Sequence, residues 1–216
     1  MKLYDGLGPN PRFVRMLLLE KGIDLDTEQV DLLGGENRQA EHMERNPMGQ
    51  LPALELDSGE VIAEITAIGE YLEEVNPATP LVGTTAEERA TTRMWTRRID
   101  HNICEPLVGR FRNGEGEGLF RERIRTMPEA ADGFLAIKQE NLAKLDGWIA
   151  GRDFICGDRF TMADILLYVF LDFGTGAAQP VPTELANISA HFARVGARPS
   201  AEASLHPVAV AGGMRA

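Results

Sequence analysis

The sequence is poor in cysteine and in basic residues, and it contains no long apolar run. Its 216 residues include only two cysteines, Cys104 and Cys156, which form no CxxC pair and no metal-ligand spacing. The four histidines are scattered, so we expect no metal site. No stretch approaches the roughly 18 apolar residues of a membrane span, and the first six residues have no apolar signal core. We therefore expect a reduced, cytoplasmic protein that does not enter a membrane.

The charge balance excludes further classes of binding partner. There are 22 Lys and Arg against 33 Asp and Glu, which gives a formal net charge of −11. A net anion is not attracted to nucleic acid or to anionic lipid, so neither is expected as the main partner. With 44% hydrophobic residues, a chain of this length can bury a sizeable core in one large or two small domains.

The first 75 residues alternate between strand and helix patterns. Apolar residues at 3–4 spacing between Phe13 and Leu18 predict a helix that ends at Gly22, and Asp57–Glu60 has the composition of a hairpin turn. The predicted order is βαβαββα, with one parallel strand pair and an antiparallel hairpin. The expected strands are Lys2–Tyr4, Thr27–Leu32, Pro52–Leu56 and Val61–Ala63, and the expected helices are 13–21, 37–45 and 65–72.

No strand pattern returns after residue 75. A Pro-rich linker is predicted over 76–85, an all-helical domain over 86–200 and a flexible Ala/Gly-rich tail over 201–216. The sequence is therefore predicted to combine a small α/β domain, residues 1–75, with a helical bundle. The expected helices of the bundle are Ala86–Arg112, Phe134–Ile149, Thr161–Phe173 and Val181–Val195.

Two short motifs in the first domain are suited to binding an anionic, peptide-like molecule. Leu51-Pro52 precedes a strand, and a cis bond there would turn the backbone N–H and C=O of Leu51 outward. From the residues alone a trans bond is the expectation, because only about 5–6% of X–Pro bonds are cis. Glu64-Ile65-Thr66 opens a helix whose free N–H groups favour an anion, while Glu64 can receive an ammonium or simply complement the helix dipole.

A third motif is structural. Thr161 is placed to cap a helix, Asp164 can bond back to it, and Phe160 with Ile165 forms a hydrophobic staple. We assign no chemistry to this motif.

Taken in order, these motifs resemble those of the cytosolic glutathione transferases. Residues 46–54 resemble the family's stretch before its cis-proline strand, residues 64–72 its glutathione-binding helix, and residues 157–164 the capping motif of its second domain. The resemblance covers nearly the whole chain. It implies a thioredoxin-like first domain, an all-helical second domain, a homodimer, reduced glutathione as co-substrate and a role in detoxification.

The expected sulfur-activating residue is unusual. Many family members have a serine, tyrosine or cysteine at the first strand-to-helix turn, whereas this chain has no hydroxyl or thiol between Asp5 and Met16. Asn10 is the best substitute, since its amide can donate to a thiolate but cannot act as a base. The Pro9-Asn10 turn is similar to that of bacterial Nu-class enzymes, which are associated with disulfide reduction. The competing interpretation is that Asn10 only caps the helix.

Fungal and bacterial relatives with a Glu-x-Thr-Ala-Ile helix start are at least as similar over the whole chain. Some of them also lack an obvious donor, and are thought to rely on ordered water or on the helix dipole.

The remaining expected glutathione ligands follow from the same resemblance. Ile65 stands where the family usually has serine, so the γ-glutamyl carboxylate would rely on the backbone N–H groups of Ile65 and Thr66 and on the Thr66 hydroxyl. Losing one hydrogen bond to a charged group costs roughly 1.5–3 kcal/mol, so we expect a weakened affinity for glutathione. The predicted glutathione-binding set is Asn10, Asn37, Arg38, Gln50, Leu51, Pro52, Glu64, Ile65 and Thr66.

The electrophile is expected beside the long helix of the second domain. The predicted cleft residues are Arg97, His101, Val108, Phe111 and Arg112. Asn113 is a further candidate for holding an anion or a water, and Asp100 is expected to form an ion pair within the chain. Cys104 and Cys156 are expected to be packing residues.

Three functions compete. The first is conjugation of the glutathione thiolate to hydrophobic electrophiles. The second is glutathione-dependent disulfide or peroxide reduction. The third is non-catalytic binding, which the missing hydroxyl and Ile65 keep open.

Overall fold

The computed structural model describes all residues from 1 to 216. The chain separates into two compact units, the first made of residues 1–81, 199–214 and 216, and the second of residues 82–198 and 215. The boundary after Leu81 lies inside the predicted linker. The strands are β1 Lys2–Asp5, β2 Asp26–Gln29, β3 Ala53–Glu55 and β4 Val61–Ile62. The helices are α1 Pro9–Lys21, α2 Ala40–Arg45, α3 Ile65–Val75, α4 Ala86–Ile99, α5 Glu105–Asn113, α6 Glu117–Phe120, α7 Ala131–Trp148, α8 Met162–Gly176, α9 Ala186–Gly196, α10 Pro199–Ala203 and α11 Pro207–Ala211.

The four strands form one mixed sheet in the order β2-β1-β3-β4. β1 and β2 are parallel, while β1 with β3 and β3 with β4 are antiparallel. The predicted βαβαββα order and the α/β character of the first domain are thus confirmed. β2 is shorter than predicted and ends at Gln29, because Asp31 starts a turn in which its carboxylate accepts the N–H of Gly34 at 2.9 Å.

The core of the first unit lies between the sheet and two helices. α1 packs against α3 and buries the predicted apolar residues, including Phe13, Val14 and Leu17. Gly22 ends α1 in the left-handed conformation at φ 64°, which glycine adopts without a steric cost. The side chains of Tyr4, Val30, Leu51 and Ala53 form a cluster in the core.

Residues 199–211 differ from the expectation of a flexible tail. They form α10 and α11 and belong to the first unit, with Ala201, Ser204 and Ala209 buried. Alanine and glycine residues suggest a frayed chain end when only the sequence is read. Their small side chains also allow this segment to pack closely against the first unit. The anchors of this segment are Arg12 and Arg15, which lie almost 200 residues away in sequence.

The second unit is all-helical, as predicted. The expected helix over 86–112 is interrupted by one wide π-helical segment, Asp100–Cys104, between α4 and α5. Pro106 explains the interruption, since its ring clashes with the carbonyl four residues earlier in a regular α-helix. α5 ends at Asn113, before the glycine-rich stretch. Around them, α5 packs on α7, α4 packs on α8, and α9 contacts both α7 and α8.

α8 is the buried helix of this unit. Every residue from Met162 to Gly174 is buried, and the predicted capping box is present at its start. The Asp164 carboxylate accepts the N–H of Thr161 and of Ile155, both at 2.8 Å, and lies 2.8 Å from His191 Nε2. These contacts tie the start of α8 to α9, which supports the structural interpretation of this motif. Among the helices, none combines the length and the apolar composition that crossing a bilayer takes.

Candidate functional site

Three chain segments meet at one end of the sheet. β1 pairs with β3 in the register Tyr4–Ala53, and β3 pairs with β4 in the register Leu54–Ile62. Because β1 and β4 are both antiparallel to β3, the end of β1 and the end of β4 lie at the edge of the sheet where β3 begins. The turn before α1, the loop before β3 and the start of α3 therefore lie at the same end of the sheet, and a Cβ at Gly6 would lie 2.7 Å from Leu51 Cδ1. The predicted glutathione ligands come from these segments and from the region before α2.

Asn10 occupies the second position of α1. The helix is capped by Gly8 without any side-chain hydrogen bond, so Asn10 does not cap it. The Asn10 side chain is half-buried, and its amide has no hydrogen-bond partner within the protein. It therefore stands free at the positive end of a 13-residue helix, where the helix dipole favours an anion. Asn10 carries the one unpaired N–H among the first four residues of the helix, because Pro9 and Pro11 have none and the Arg12 N–H donates to the Gly8 carbonyl.

The turn before α1 is held by a partly buried ion pair. Arg15 Nη1 donates to Asp5 Oδ1 at 2.7 Å and to the Gly6 carbonyl at 2.9 Å. The other Asp5 oxygen accepts from Gln29 Nε2 at 2.8 Å. Asp5 is buried, and burial is the main cause of the lowered pKa of Arg15. Sequence reasoning missed this pair, because neither residue belongs to a local motif.

The loop before β3 has the backbone geometry that the resemblance implies. The Leu51–Pro52 bond is cis, in contrast to the expectation from proline statistics alone. The N–H and C=O of Leu51 have no hydrogen bond in the structure, whereas Leu51 and Pro52 are both buried. A peptide-like ligand laid along this edge would find a donor and an acceptor on the same residue.

Asn37 and Arg38 brace this loop from a short 3₁₀ segment, Glu36–Arg38. Asn37 Nδ2 donates to the Gly49 carbonyl at 2.6 Å, and Arg38 Nη1 donates to the Met48 carbonyl at 3.2 Å. Gly49 has φ 58°, and a Cβ there would lie 2.7 Å from Met43 Sδ, so only glycine fits. The structure thus gives Asn37 and Arg38 a supporting role in the loop. The direct contact with a glycyl carboxylate predicted for them stays a prediction, as it does for the exposed Gln50.

Two residues that sequence reasoning passed over complete the bracing. His42 Nε2 lies 3.0 Å from the Gln50 carbonyl oxygen, and Asn46 Nδ2 donates to the same oxygen at 2.9 Å. His42 is only 2% exposed, and its ring packs edge-on against Tyr4. The adjacent Asn46-Pro47 turn was the available signal, since asparagine before proline favours turns that its side chain closes.

The start of α3 carries the strongest local backbone strain of the site. Glu64 precedes the helix with φ 68° and ψ 117°, a conformation that non-glycine residues rarely adopt. Such strain concentrates at ligand-binding positions. The Glu64 side chain is exposed, Ile65 is buried, and the hydroxyl of Thr66 has no partner. The N–H groups of Ile65 and Thr66 are unpaired. The carboxylate contact predicted for them stays a prediction.

The five predicted cleft residues are spread along the second unit. Arg97 and Phe111 are 14 residues apart on nearly continuous helix, a separation of about 20 Å at 1.5 Å per residue. Arg97 and His101 are exposed, and Arg97 Nη1 lies 3.6 Å from Asp100 Oδ2, the expected ion pair. Val108 is buried. The structure therefore does not bring all five together.

Phe111 belongs to an aromatic cluster. Its ring lies 5.0 Å from that of Phe173 and 6.0 Å from that of Phe120, both edge-on. Arg112 lies over the Phe120 ring at 5.8 Å. Asn113 is used internally at both ends of its amide, donating to the Gly109 carbonyl and accepting from the Met127 N–H. Phe111 and Arg112 thus belong to one aromatic cluster, and contact of any of the five predicted residues with a substrate stays a prediction.

The cysteines have the properties of packing residues. Burial raises the pKa of the Cys104 thiol well above its ordinary value. Burial also raises the pKa of Cys156, whose sulfur lies 3.7 Å from the hydroxyls of Thr92 and Thr161. Neither is a ready nucleophile at neutral pH, because the thiolate is the reactive form. The structure gathers no group of three or more potential metal ligands.

Comparison with known protein sequences identifies the family that the motifs resemble. The family profile described as "Glutathione S-transferase, N-terminal domain" matches residues 8–75, and "Glutathione S-transferase, C-terminal domain" matches residues 122–199. "Glutathione S-transferase 2" of Saccharomyces cerevisiae is 30% identical over 211 residues, which cover 93% of this chain and 87% of that protein. "Maleylacetoacetate isomerase" of Pseudomonas aeruginosa is 31% identical over 170 residues, which cover 77% of this chain and 78% of that one.

Solved structures give the same result. A glutathione S-transferase domain-containing protein of Marinobacter aquaeolei is 36% identical, with a TM-score of 0.86 over 93% of this chain and 99% of that one. Gtt2 of Saccharomyces cerevisiae is 31% identical, with a TM-score of 0.87 over 95% of this chain and all of that one.

Proposed function

Because this chain belongs to the glutathione S-transferase family, we propose that it binds reduced glutathione at the end of the sheet and conjugates its thiolate to hydrophobic electrophiles. The observation that carries the proposal is the set of polar groups left free there. The Asn10 amide, the Leu51 peptide groups and the N–H groups of Ile65 and Thr66 have no partners within the chain, and their segments lie at the same end of the sheet.

Glutathione matches these groups in order. Its γ-glutamyl carboxylate meets the start of α3, where Glu64 receives the ammonium. Its cysteinyl main chain pairs with Leu51, in the extended form of a strand added to a sheet edge. Its glycyl carboxylate extends toward Arg38 and Gln50, and its sulfur faces the start of α1.

The chemical step needs a thiolate. An ordinary thiol has a pKa of about 8.5, so lowering it by two units takes about 2.7 kcal/mol. The helix start and one donated hydrogen bond from Asn10 can supply this amount, since bonds to charged groups contribute about 1.5–3 kcal/mol. Asn10 cannot accept the proton, which leaves through water or through a glutathione carboxylate. The thiolate then attacks the electrophile, and the leaving group departs with the bonding electrons.

An activity panel tests this proposal against its competitors. Conjugation of an activated aryl halide supports it, whereas turnover of a mixed disulfide without conjugation would favour the reductase. Cis–trans isomerisation of a maleyl substrate would instead align the chain with its relatives named maleylacetoacetate isomerase. Calorimetry comes first, because a protein that takes up no glutathione at millimolar concentration would exclude all three activities.

We also propose that the enzyme is a homodimer in which a groove of the second unit contacts the other copy. The groove has a volume of about 550 Å³ and lies between α4 and α7. It contains both tryptophans of the chain, Trp95 and the half-exposed Trp148, and three cations, Arg98, Lys144 and Arg152, with no acidic residue. Tryptophan and arginine side chains of this kind are enriched where proteins contact one another.

Detoxification of electrophiles in the cytoplasm is the corresponding biological role. The two free thiols support a reducing compartment.

A further inference from the structure

Three consecutive carbonyl groups of the loop before β3 are held by side chains of one short segment. The Met48 carbonyl accepts from Arg38, the Gly49 carbonyl from Asn37, and the Gln50 carbonyl from both His42 and Asn46. The Gln50 oxygen, which has two hydrogen-bond partners, belongs to the last of the three carbonyls. It directly precedes the proposed glutathione contact at Leu51. The segment that holds it, residues 36–46, includes none of the groups that we place against the sulfur.

The Gln50 carbonyl determines where the Leu51 N–H points. Both belong to one planar peptide unit, and the only cis bond of the chain is the following one. In a trans unit the C=O and N–H point in opposite directions. Because His42 and Asn46 hold the oxygen against α2, the Leu51 N–H is directed away from α2, and it has no partner in the structure.

The environment of His42 fixes its hydrogen bond. A carbonyl oxygen only accepts, so Nε2 carries the proton and Nδ1 does not in the neutral ring. The ring is 2% exposed and lies edge-on to Tyr4, with centroids 6.5 Å apart. Nδ1 is buried without a partner. A buried polar side chain that spends its single donor on a loop carbonyl is suited to orienting that loop.

We propose that His42 is a positioning residue for glutathione, which acts with Asn46 through the Gln50 carbonyl to aim the Leu51 N–H at the main-chain carbonyl of the tripeptide. This inference rests on the proposed function. His42 touches neither the thiolate nor the electrophile, so its loss affects the binding of glutathione and leaves the reaction of bound glutathione nearly unchanged.

The decisive variants differ in one hydrogen-bond donor. His42→Leu removes the donor and keeps an apolar side chain beside Tyr4, whereas His42→Gln retains an N–H near the position of Nε2. Glu44→Gln, an exposed change on the same helix, is the matched control. Each variant is purified as the full chain, its fold is compared by circular dichroism, and glutathione binding is measured by calorimetry beside KM and kcat.

We expect His42→Leu to raise the Kd and KM for glutathione about tenfold, the effect of losing one orienting hydrogen bond. The kcat at saturating glutathione should stay within about twofold. His42→Gln should recover most of the affinity, and Glu44→Gln should match the wild type. Equal affinity in wild type and His42→Leu, or no recovery in His42→Gln, would overturn the inference.

If His42→Leu does not fold, two variants of Asn46 test the same proposal. Asn46→Asp puts a carboxylate beside the Gln50 oxygen and repels it, so glutathione affinity should fall more than in Asn46→Ser. Equal affinity in the two Asn46 variants would contradict the inference. A wild-type protein that takes up no glutathione would refute the proposed function itself, which is a different result.

Discussion

The guanidinium of Arg12, in the first turn of α1, donates from Nη2 to the main-chain oxygen of Ala201 at 2.8 Å, across 189 residues of sequence. Arg12 has no exposed surface. Its Nε also donates to Ser204 Oγ at 3.3 Å, and Arg15 Nε donates to the Ser204 carbonyl at 2.8 Å. The last helical turns of the chain thus complete the scaffold of the helix that carries Asn10.

Ser204→Ala should destabilise the first unit. The change removes an acceptor from a buried guanidinium, and an unsatisfied buried group costs about 1–3 kcal/mol. We expect the urea midpoint to fall accordingly, whereas Ser58→Ala, in an exposed turn, should leave it nearly unchanged. Equal midpoints for both variants would show that the contact contributes nothing. Deleting residues 199–216 should have a larger effect, visible as faster proteolysis of residues 1–81.

Asn10→Ala should raise the pKa of the thiol of bound glutathione and lower kcat. The thiolate loses its side-chain hydrogen-bond donor, whereas the start of α1 remains. The loss of one hydrogen bond to a charge predicts a rise of about one to two pKa units. Asn10→Ser keeps a donor and should be milder, whereas Asn10→Asp should be the most severe through repulsion of the thiolate. Thiolate absorbance against pH measures the shift, and an unchanged titration in Asn10→Ala would remove Asn10 from the catalytic machinery.

Glu64 allows backbone strain to be separated from ligand binding. Glu64→Ala and Glu64→Gly both remove the carboxylate, so both should raise the KM for glutathione. Glycine adopts the positive φ of 68° readily, and Glu64→Gly should therefore be more stable than Glu64→Ala by about 1 kcal/mol. Thermal unfolding measures the stability difference. If glutathione affinity survives in both variants, the ammonium of the γ-glutamyl group binds elsewhere.

The sequence predicts local features of this fold better than distant ones. The helix stop at Gly22 and the capping box of Thr161 and Asp164 depend on residues a few positions apart, and both appear as expected. The pairs Arg15–Asp5 and Arg12–Ala201 depend on tertiary packing, so no spacing announces them. For the same reason the candidate site could be predicted from Leu51, Pro52 and Glu64, whereas the contacts of His42 and Asn46 with the Gln50 carbonyl are visible only in the structure.

Trp148→Glu should dissociate the proposed dimer. The indole is half-exposed in the groove, so the substitution leaves the core of the monomer intact, yet it introduces a charge where the other copy is proposed to pack. Sedimentation should show a shift from two chains to one. Ile137→Glu is the control, because Ile137 is about equally exposed on α7 but lies outside the groove. Dissociation by both variants, or by neither, would place the interface elsewhere.

Lys138 should make the stability of the second unit depend on pH in the alkaline range. Its ammonium is 1% exposed and donates to Gln179 Oε1 at 3.2 Å. Burial lowers the pKa of Lys138 to about 8, from 10.5.

Between those values the unfolded chain holds a proton that the folded chain has released, so stability rises with pH. The gain is about 3 kcal/mol in total, at 1.36 kcal/mol per unit. We expect urea unfolding from pH 7.5 to 10.5 to show this rise in the wild type and in Glu140→Gln, an exposed change on the same helix outside the groove. It should be absent from Lys138→Met, and parallel pH curves for all three proteins would mean that the buried amine keeps its ordinary affinity for protons.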